Sequence, residues 1–248
     1  MLRIVIDQET LAEVSTLIAR AEERLLGMVA EGRVGQEPDI TSRLVHGIEL
    51  ASDAVDGVAI HFTVVDGIGP GAAERQLGAD VLGVVRIELD ELRIAKGFLA
   101  QSKRSGADGL RLRSVKQEDY SHWLYRGELQ LAQSGVVDVT RPSAKLDEQC
   151  ENMLKVSPAS FVFVFGREQV GVVSASAVHA HRASQPRRWK SLGSKRLDDF
   201  FIHILDCFVG DPALAAGSIA ELRVLAAQRG ASAAMMLRIA PSMAADQR

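Results

Sequence analysis

Three polar side chains in the first half of the sequence combine groups that can bind a divalent cation and a phosphate. Asp80 follows Gly78-Ala79, and Gln101 and Lys103 stand two residues apart at the end of an apolar segment. Because side chains alternate between the two faces of a β-strand, Gln101 and Lys103 would share one face. If Asp80 faces the same side, its carboxylate, the Gln101 side-chain oxygen and the Ser102 backbone carbonyl offer the oxygen ligands that Mg²⁺ or Mn²⁺ prefers.

A fourth candidate, Glu37, lies upstream at the start of a predicted helix. Pro38 is typical of a first helical turn, and apolar residues at helical spacing continue to about Ser52. Glu37 stands two turns before Leu44 on the same inward stripe, where a carboxylate is unfavourable unless something pairs with it. Glu37 would complete the cation site directly or through water. The alternative is a charge that complements a helix N-terminus.

The elements that must position these side chains follow in the order helix, three strands, helix and strand. After the Glu37 helix, the pattern predicts strands at Gly57–Val65, Gly78–Leu89 and Leu92–Arg104, a helix at Ser143–Val156, and strands at Ser160–Phe165 and Val170–Val178. Further helices are predicted at Gln8–Ala30, Leu197–Val209 and Ala213–Arg229, with a short closing segment through Ile239. We therefore divide the chain into an N-terminal helical extension (1–34), a core domain (35–178) and a basic segment with a C-terminal helical region (179–248).

Residues 35–178 resemble a known nuclease superfamily. The motif Gly78-Ala79-Asp80, twenty intervening residues and the run Gln101-Ser102-Lys103, with Glu37 upstream, is similar to the PD-(D/E)xK nucleases in their Mrr-type variant, where glutamine replaces the acid before x-Lys. The resemblance implies an α/β protein with a restriction-endonuclease-like core: an α-β-β-β-α-β order and a mixed central sheet flanked by helices. Extra helices would be added at both ends of this core.

The resemblance also implies an activity, Mg²⁺-dependent hydrolysis of DNA phosphodiester bonds by an endonuclease. Asp80, Gln101 and Glu37 would organise the metal, and Lys103 would orient the attacking water or neutralise developing phosphate charge. Because Gln101 replaces a carboxylate, the site should bind Mg²⁺ weakly and require millimolar metal. Taken singly, Asp80 is more typical of a turn residue after glycine and Lys103 of a solvated strand end.

A second group of residues is predicted to contact the nucleic acid. Its members are Arg104, Gln149, Arg182, Arg187, Arg188, Lys190, Lys195 and Arg196. The basic tract, interleaved with Trp189, would neutralise phosphates and offer a stacking face, although a solvated linker has the same composition. Gln149 is assigned by analogy with the equivalent helix of related nucleases; otherwise it is an ordinary helix residue. His179 and His181 are interpreted as alternating along a strand and are not assigned as metal ligands.

Composition restricts the class of protein but not its partner. The 248 residues are 47% hydrophobic and 25% charged with a net charge of −3, which is typical of a globular protein and excludes disordered and collagen-like classes. The cysteines, Cys150 and Cys207, lack zinc or disulfide spacing and are interpreted as buried thiols. Apolar runs are too short for a signal peptide or a membrane span. We expect a cytoplasmic location and no membrane partner.

The sequence contains no obvious domain that reads a DNA sequence. We therefore expect control by a homo-oligomer, such as a dimer, or by a partner such as an ATPase. The hypothesis is a DNA-cleaving effector of a bacterial restriction or anti-phage defence system. The alternative is a catalytically inactive subunit that keeps the nuclease fold and binds nucleic acid or assembles with a defence partner.

Overall fold

The structure is a computed structural model that describes residues 6, 8–34, 37–52, 58–65, 79–89, 92–104, 144–180, 192–206 and 209–241. The α-helices are α1 (Gln8–Ala30), α2 (Glu37–Ser52), α3 (Ala144–Val156), α4 (Ala175–Ala180), α5 (Leu197–Leu205) and α6 (Ile219–Gln228). A 3₁₀ turn covers Pro212–Leu214. The strands are β1 (Val58–Val65), β2 (Val81–Leu89), β3 (Leu92–Arg104), β4 (Ser160–Phe165), β5 (Val170–Ser174), β6 (Lys195–Arg196) and β7 (Ala233–Pro241).

Among the described residues, seven strands form one mixed sheet in the order β1-β7-β2-β3-β4-β5-β6. The β2–β7 and β3–β4 pairs are parallel, and the other neighbouring pairs are antiparallel. The prediction of an α/β protein with a mixed sheet flanked by helices is confirmed. Along the chain, α2, β1, β2, β3, α3 and β4 follow in that order.

The strand β7 differs from the sequence prediction, which gave only a closing segment after the last helices. Ala233–Pro241 is rich in Ala and Met and poor in the β-branched and aromatic residues that mark strands. It nevertheless lies between β1 and β2, antiparallel to the first and parallel to the second. Residues 179–248 therefore supply an interior strand of the sheet as well as helices.

Two helix layers cover the sheet, one on each face. We call them the α1 layer (α1, α2 and α5) and the α3 layer (α3, α4 and α6), because the buried residues of each trio share one core cluster. In the α1 layer, Phe200 packs edge-on against Phe98 at a ring-centroid distance of 5.1 Å. In the α3 layer, Cys150 and Met153 are fully buried with Leu99 of β3. Apolar burial on both faces is what holds such a sheet between helices.

The helices have the pattern of elements that pack on one side. Helix α1 buries residues at helical spacing, including Val14, Ile18, Ala21 and Leu25, and leaves its other side exposed. In the described part of the chain, no helix has both the length and the apolar content to cross a bilayer.

Candidate metal and phosphate site

The β2–β3 hairpin brings Asp80 opposite Gln101. Val81 pairs with Ala100 in the antiparallel register, and the Asp80 backbone N–H donates to the Ala100 carbonyl at 2.9 Å. Leu99 packs in the core of the α3 layer. Because strand side chains alternate, Gln101 and Lys103 face the α3 layer with Leu99. The shared face expected for Gln101 and Lys103 is present.

The Asp80 carboxylate is bound by two N–H groups from β3. Its Oδ2 accepts hydrogen bonds from the Gln101 side-chain nitrogen at 2.6 Å and from the Ser102 backbone N–H at 2.8 Å. The Gln101 nitrogen also lies 3.2 Å from the Ser102 carbonyl oxygen. Two of the oxygens predicted to bind metal, the Asp80 carboxylate and the Ser102 carbonyl, therefore both lie against the Gln101 side-chain carboxamide.

The main chain of Asp80 is fixed from its other side by the residues that begin β7. The Asp80 carbonyl oxygen accepts hydrogen bonds from the backbone N–H groups of Ser232 and Ala233, at 3.1 and 3.0 Å, and from the Ser232 hydroxyl at 3.0 Å. Sequence reasoning missed Ser232, since no local pattern connects it with a residue so distant in the chain. These bonds hold the main chain that carries the carboxylate.

The Gln101 carboxamide has one oxygen with unused bonding capacity. The residue is 3% exposed, and its Oε1 has no hydrogen-bond partner among the described residues. A buried polar atom left without a partner is unfavourable by about 1–3 kcal/mol. Such an atom beside a carboxylate is suited to a cation or a water molecule.

The donor set at Asp80, Gln101 and Ser102 fits a magnesium-type cation in chemistry. Carboxylate, carboxamide and backbone carbonyl oxygens are hard ligands. At present the Gln101 nitrogen lies between two of these oxygens, so binding through Gln101 would require its Oε1 and Nε2 to exchange places. That exchange is favourable only when a cation separates the oxygens. In the described ranges there is no group of three or more His, Cys, Asp or Glu side chains suited to a metal, so this site would be weakly charged.

Lys103 is half-buried beside the buried thiol of Cys150 on α3. Burial raises the pKa of Cys150 to about 12, with Asp147 acting in the same direction and Lys103 in the opposite one. The prediction of a buried thiol is confirmed for Cys150, which is therefore neutral and unsuited to act as a nucleophile. Cys207 lies outside the described residues.

Glu37 is the first residue of α2, and its side chain lies outside the described residues. Ile40, Leu44 and Ile48 of the same helix are buried in the core of the α1 layer. That layer covers the face opposite to Gln101 and Lys103. The structure therefore does not bring the described part of α2 to the face that carries the other three predicted residues.

Only one of the described residues predicted to contact nucleic acid shares the face of the site. Arg104 ends β3 and is half-buried, but strand alternation places its side chain on the face opposite to Gln101 and Lys103. Gln149 lies on the α3 stripe of Leu146 and Cys150, and its Oε1 is buried without a partner in the described part of the chain. Its position is compatible with the predicted contact.

The basic tract is only partly described, and Arg182, Arg187, Arg188 and Lys190 fall outside it. Lys195 and Arg196 form β6, at the opposite edge of the sheet from β1 and separated from β3 by β4 and β5. Arg196 bonds to Asp198 at 3.0 Å, and Lys195 contacts His203 at 3.0 Å. These two residues are exposed but are not brought to the hairpin that carries Asp80.

The interpretation of His179 as a strand residue was wrong. His179 lies in helix α4, where its Nδ1 contacts the Asp147 carboxylate of α3 at 2.9 Å. The run that precedes it, rich in Val and Ser, is typical of a strand, and β5 does end at Ser174. Because His179 lies in a helix, it meets Asp147, a residue that the sequence analysis did not identify as a candidate. His181 lies outside the described residues.

Comparison with known proteins gives no relative. No protein-family model matches the chain, and neither a curated protein nor a solved structure matches it.

Proposed function

We propose that this protein is a metal-dependent nuclease that hydrolyses DNA phosphodiester bonds. The observation that carries the proposal is the convergence of Asp80, Gln101 and the Ser102 carbonyl around one carboxamide, with Lys103 on the same sheet face. These are the positions at which the sequence resembles the Mrr-type PD-(D/E)xK nucleases. A turn aspartate and a solvated strand-end lysine would not explain a buried Gln101 whose Oε1 has no partner in the described part of the chain.

Each residue has a distinct role in this proposal. With the Gln101 carboxamide turned so that Oε1 takes the place of Nε2, Asp80, the Gln101 Oε1 and the Ser102 carbonyl would hold the metal, which would supply a Lewis acid and an activated water. The Lys103 ammonium binds a phosphate oxygen and stabilises the negative charge that grows on it. Because Gln101 is neutral, the site carries less negative charge than one with a carboxylate at this position. The substrate phosphate would then contribute to metal binding.

The finer assignments belong to the same proposal. The chain order from α2 to β4 supports a restriction-endonuclease-like core, to which β7 adds a further strand between β1 and β2. We also propose the cytoplasm as its location and a role as a defence effector controlled by dimer formation or by a partner such as an ATPase. Under this control the purified chain cuts plasmid at a low basal rate, and a cleavage rate that neither dimer formation nor the partner raises would contradict the control.

Plasmid cleavage with Mg²⁺ or Mn²⁺, and with EDTA as a blank, tests the activity. Asp80→Asn keeps an oxygen that accepts from β3 but removes the charge, and Lys103→Ala removes the ammonium. We expect each to lower cleavage by about a hundredfold or more, the usual effect of removing one charge-stabilising group. The matched controls are Asp199→Ala and Lys155→Ala, which change exposed residues on α5 and on α3. Cleavage that survives in Asp80→Asn and Lys103→Ala would overturn the assignment.

The alternative, a non-catalytic nucleic-acid-binding subunit, is favoured by one specific observation. The Asp80 carboxylate is already bound by two N–H groups, as a structural carboxylate would be. This alternative predicts no cleavage and DNA retention that is equal in EDTA and in Mg²⁺. The nuclease proposal predicts cleavage, and DNA binding that Mg²⁺ strengthens, because a bound cation would add positive charge beside the phosphates.

A further inference from the structure

His179 and Asp147 form a pair whose two members differ strongly in exposure. The Nδ1 of His179 contacts Asp147 Oδ1 at 2.9 Å, and the side chains are 36% and 6% exposed, respectively. A carboxylate can only accept a hydrogen bond, so His179 donates through Nδ1. Nε2 is then the ring nitrogen that the pair leaves for another partner. A buried acid that orients an accessible imidazole is the arrangement found where histidine binds or transfers a proton.

The pair lies on the sheet face to which Lys103 points. Leu146 and Cys150 of α3 and Val178 of α4 belong to the same core cluster as Leu99 of β3. Asp147 and Lys103 both act electrostatically on the Cys150 thiol. Asp147, which holds His179, and the ammonium of Lys103 are thus both within electrostatic range of one buried side chain.

The position along the strands agrees with this placement. Helix α3 ends at Val156 and β4 begins at Ser160, where β4 pairs with Leu99. With so short a connection, α3 runs back over the sheet, and its first turns lie above the later residues of β3. Asp147 is in the first turn of α3, and Lys103 is in the last part of β3. The two elements thus bring the histidine pair and the ammonium to one end of the sheet.

We propose that His179, oriented by Asp147, binds as the imidazolium a phosphate oxygen of the nucleic acid held beside Lys103, donating Nδ1–H to Asp147 and Nε2–H to the phosphate. This inference rests on the proposed function, and it adds a substrate contact from α4. Asp147 is a positioning residue, because it acts through the imidazole. His179 of α4 and the Lys103 ammonium of β3 would then contact the same phosphodiester backbone. The ligand that fits both contacts is a polyanion with adjacent phosphates.

Nitrogen NMR of the histidine side chains tests binding independently of cleavage. The probe is a short DNA duplex added to the full chain in EDTA or in Ca²⁺, and His179→Gln identifies the resonances. We expect the His179 Nε2 resonance to shift towards the imidazolium position on binding, and we expect Asp147→Asn, which removes the negative charge beside the ring, to weaken that shift. His46 is the matched control, because its Nδ1 contacts Glu49 at 3.2 Å on α2, in the opposite layer. A duplex that binds without moving His179, or that moves His46 equally, would overturn the inference.

Cleavage kinetics separate this proposal from the nuclease assignment. We expect His179→Ala to raise KM by about tenfold or more while kcat falls less, as for the loss of a charge-assisted contact. His46→Ala should leave both constants unchanged. Wild-type chain that cuts DNA while His179→Ala keeps its KM would refute the contact and leave the nuclease intact. A His179 shift on a chain that never cuts would refute the nuclease and support the contact. A chain that neither binds nor cuts would refute both.

Discussion

Replacing Gln101 by glutamate tests the environment of Asp80 most directly. The substitution puts an oxygen where the amide nitrogen lies 2.6 Å from Asp80 Oδ2. Two full charges at that separation would repel by about 6 kcal/mol at an effective dielectric constant of about 20. The pair of carboxyl groups in Gln101→Glu would therefore keep one proton, which restores a hydrogen bond between them.

The size of the effect is set by the free energy of keeping that proton. Protonating a carboxyl group of ordinary pKa at about pH 7 requires about 4 kcal/mol. Because Asp80 is only half-buried, water screens part of the repulsion, and we expect the free energy of unfolding to fall by about 2–4 kcal/mol. The pKa of the folded pair is raised, so the destabilisation is absent below the ordinary carboxyl pKa and grows as the pH rises above it.

A divalent cation should reverse the destabilisation. The variant has two carboxylates in the site, and Mg²⁺ prefers such charged oxygen ligands. Millimolar Mg²⁺ should therefore restore the stability of Gln101→Glu at about pH 7 while changing the wild type much less. Urea unfolding followed by circular dichroism measures the difference in the free energy of unfolding between Gln101→Glu and the wild type. The four conditions are EDTA and Mg²⁺, each at acid and at neutral pH.

Gln8→Glu is the control for Gln101→Glu, since it makes the same chemical change at the exposed first residue of α1. It should show neither the neutral-pH loss nor the Mg²⁺ response. If Gln101→Glu is as stable as the wild type in EDTA at neutral pH, the contact with Asp80 is not as described. If Mg²⁺ restores none of the lost stability, the oxygens around residue 101 do not form a cation site.

Three further predictions concern buried groups. Burial raises the pKa of Glu22, which accepts a hydrogen bond from the Val170 backbone N–H. The wild type therefore loses stability as the pH rises above the ordinary carboxyl pKa and the buried Glu22 ionises. Because Gln does not ionise, the free energy of unfolding of Glu22→Gln relative to the wild type should increase from acid to alkaline pH in urea unfolding. Gly83→Ala would place a methyl group inside the Phe98 ring, and calorimetry should show destabilisation by at least about 1–3 kcal/mol. Cys150, whose pKa is about 12, should resist iodoacetamide in the native chain and react once urea unfolds it, as mass spectrometry can follow.

The part of the site that sequence could predict is the part set by local periodicity. Alternation along β3 is enough to place Gln101 and Lys103 on one face, and the predicted bounds of β3 are those of the structure. The contact between Asp80 and Gln101 follows from an antiparallel hairpin of adjacent strands, which is the commonest pairing of consecutive elements. These predictions required only neighbouring segments.

The features that sequence missed depend on pairings between distant segments. The β7 strand has no strand-like composition and is held in the sheet by β1 and β2, far earlier in the chain. Its first residue, Ala233, and the preceding Ser232 also donate hydrogen bonds to the Asp80 carbonyl. The Asp147–His179 contact joins two helices, and a single sequence gives no measure of which helix faces meet. Helical spacing predicts that Glu37 shares an inward stripe with Leu44, but periodicity cannot say which side of the sheet that stripe covers.

The position of β7 has a consequence for biosynthesis. A ribosome delivers β1 and β2 early, yet the strand that bridges them emerges only after residue 233, and Ser232 reaches Asp80 at the same moment. The hairpin with its carboxylate can form on the nascent chain, but the sheet around it closes only when almost all of residues 1–241 have left the exit tunnel. A nascent chain therefore lacks a finished centre until β7 has left the exit tunnel, and one interrupted before residue 233 would never acquire one.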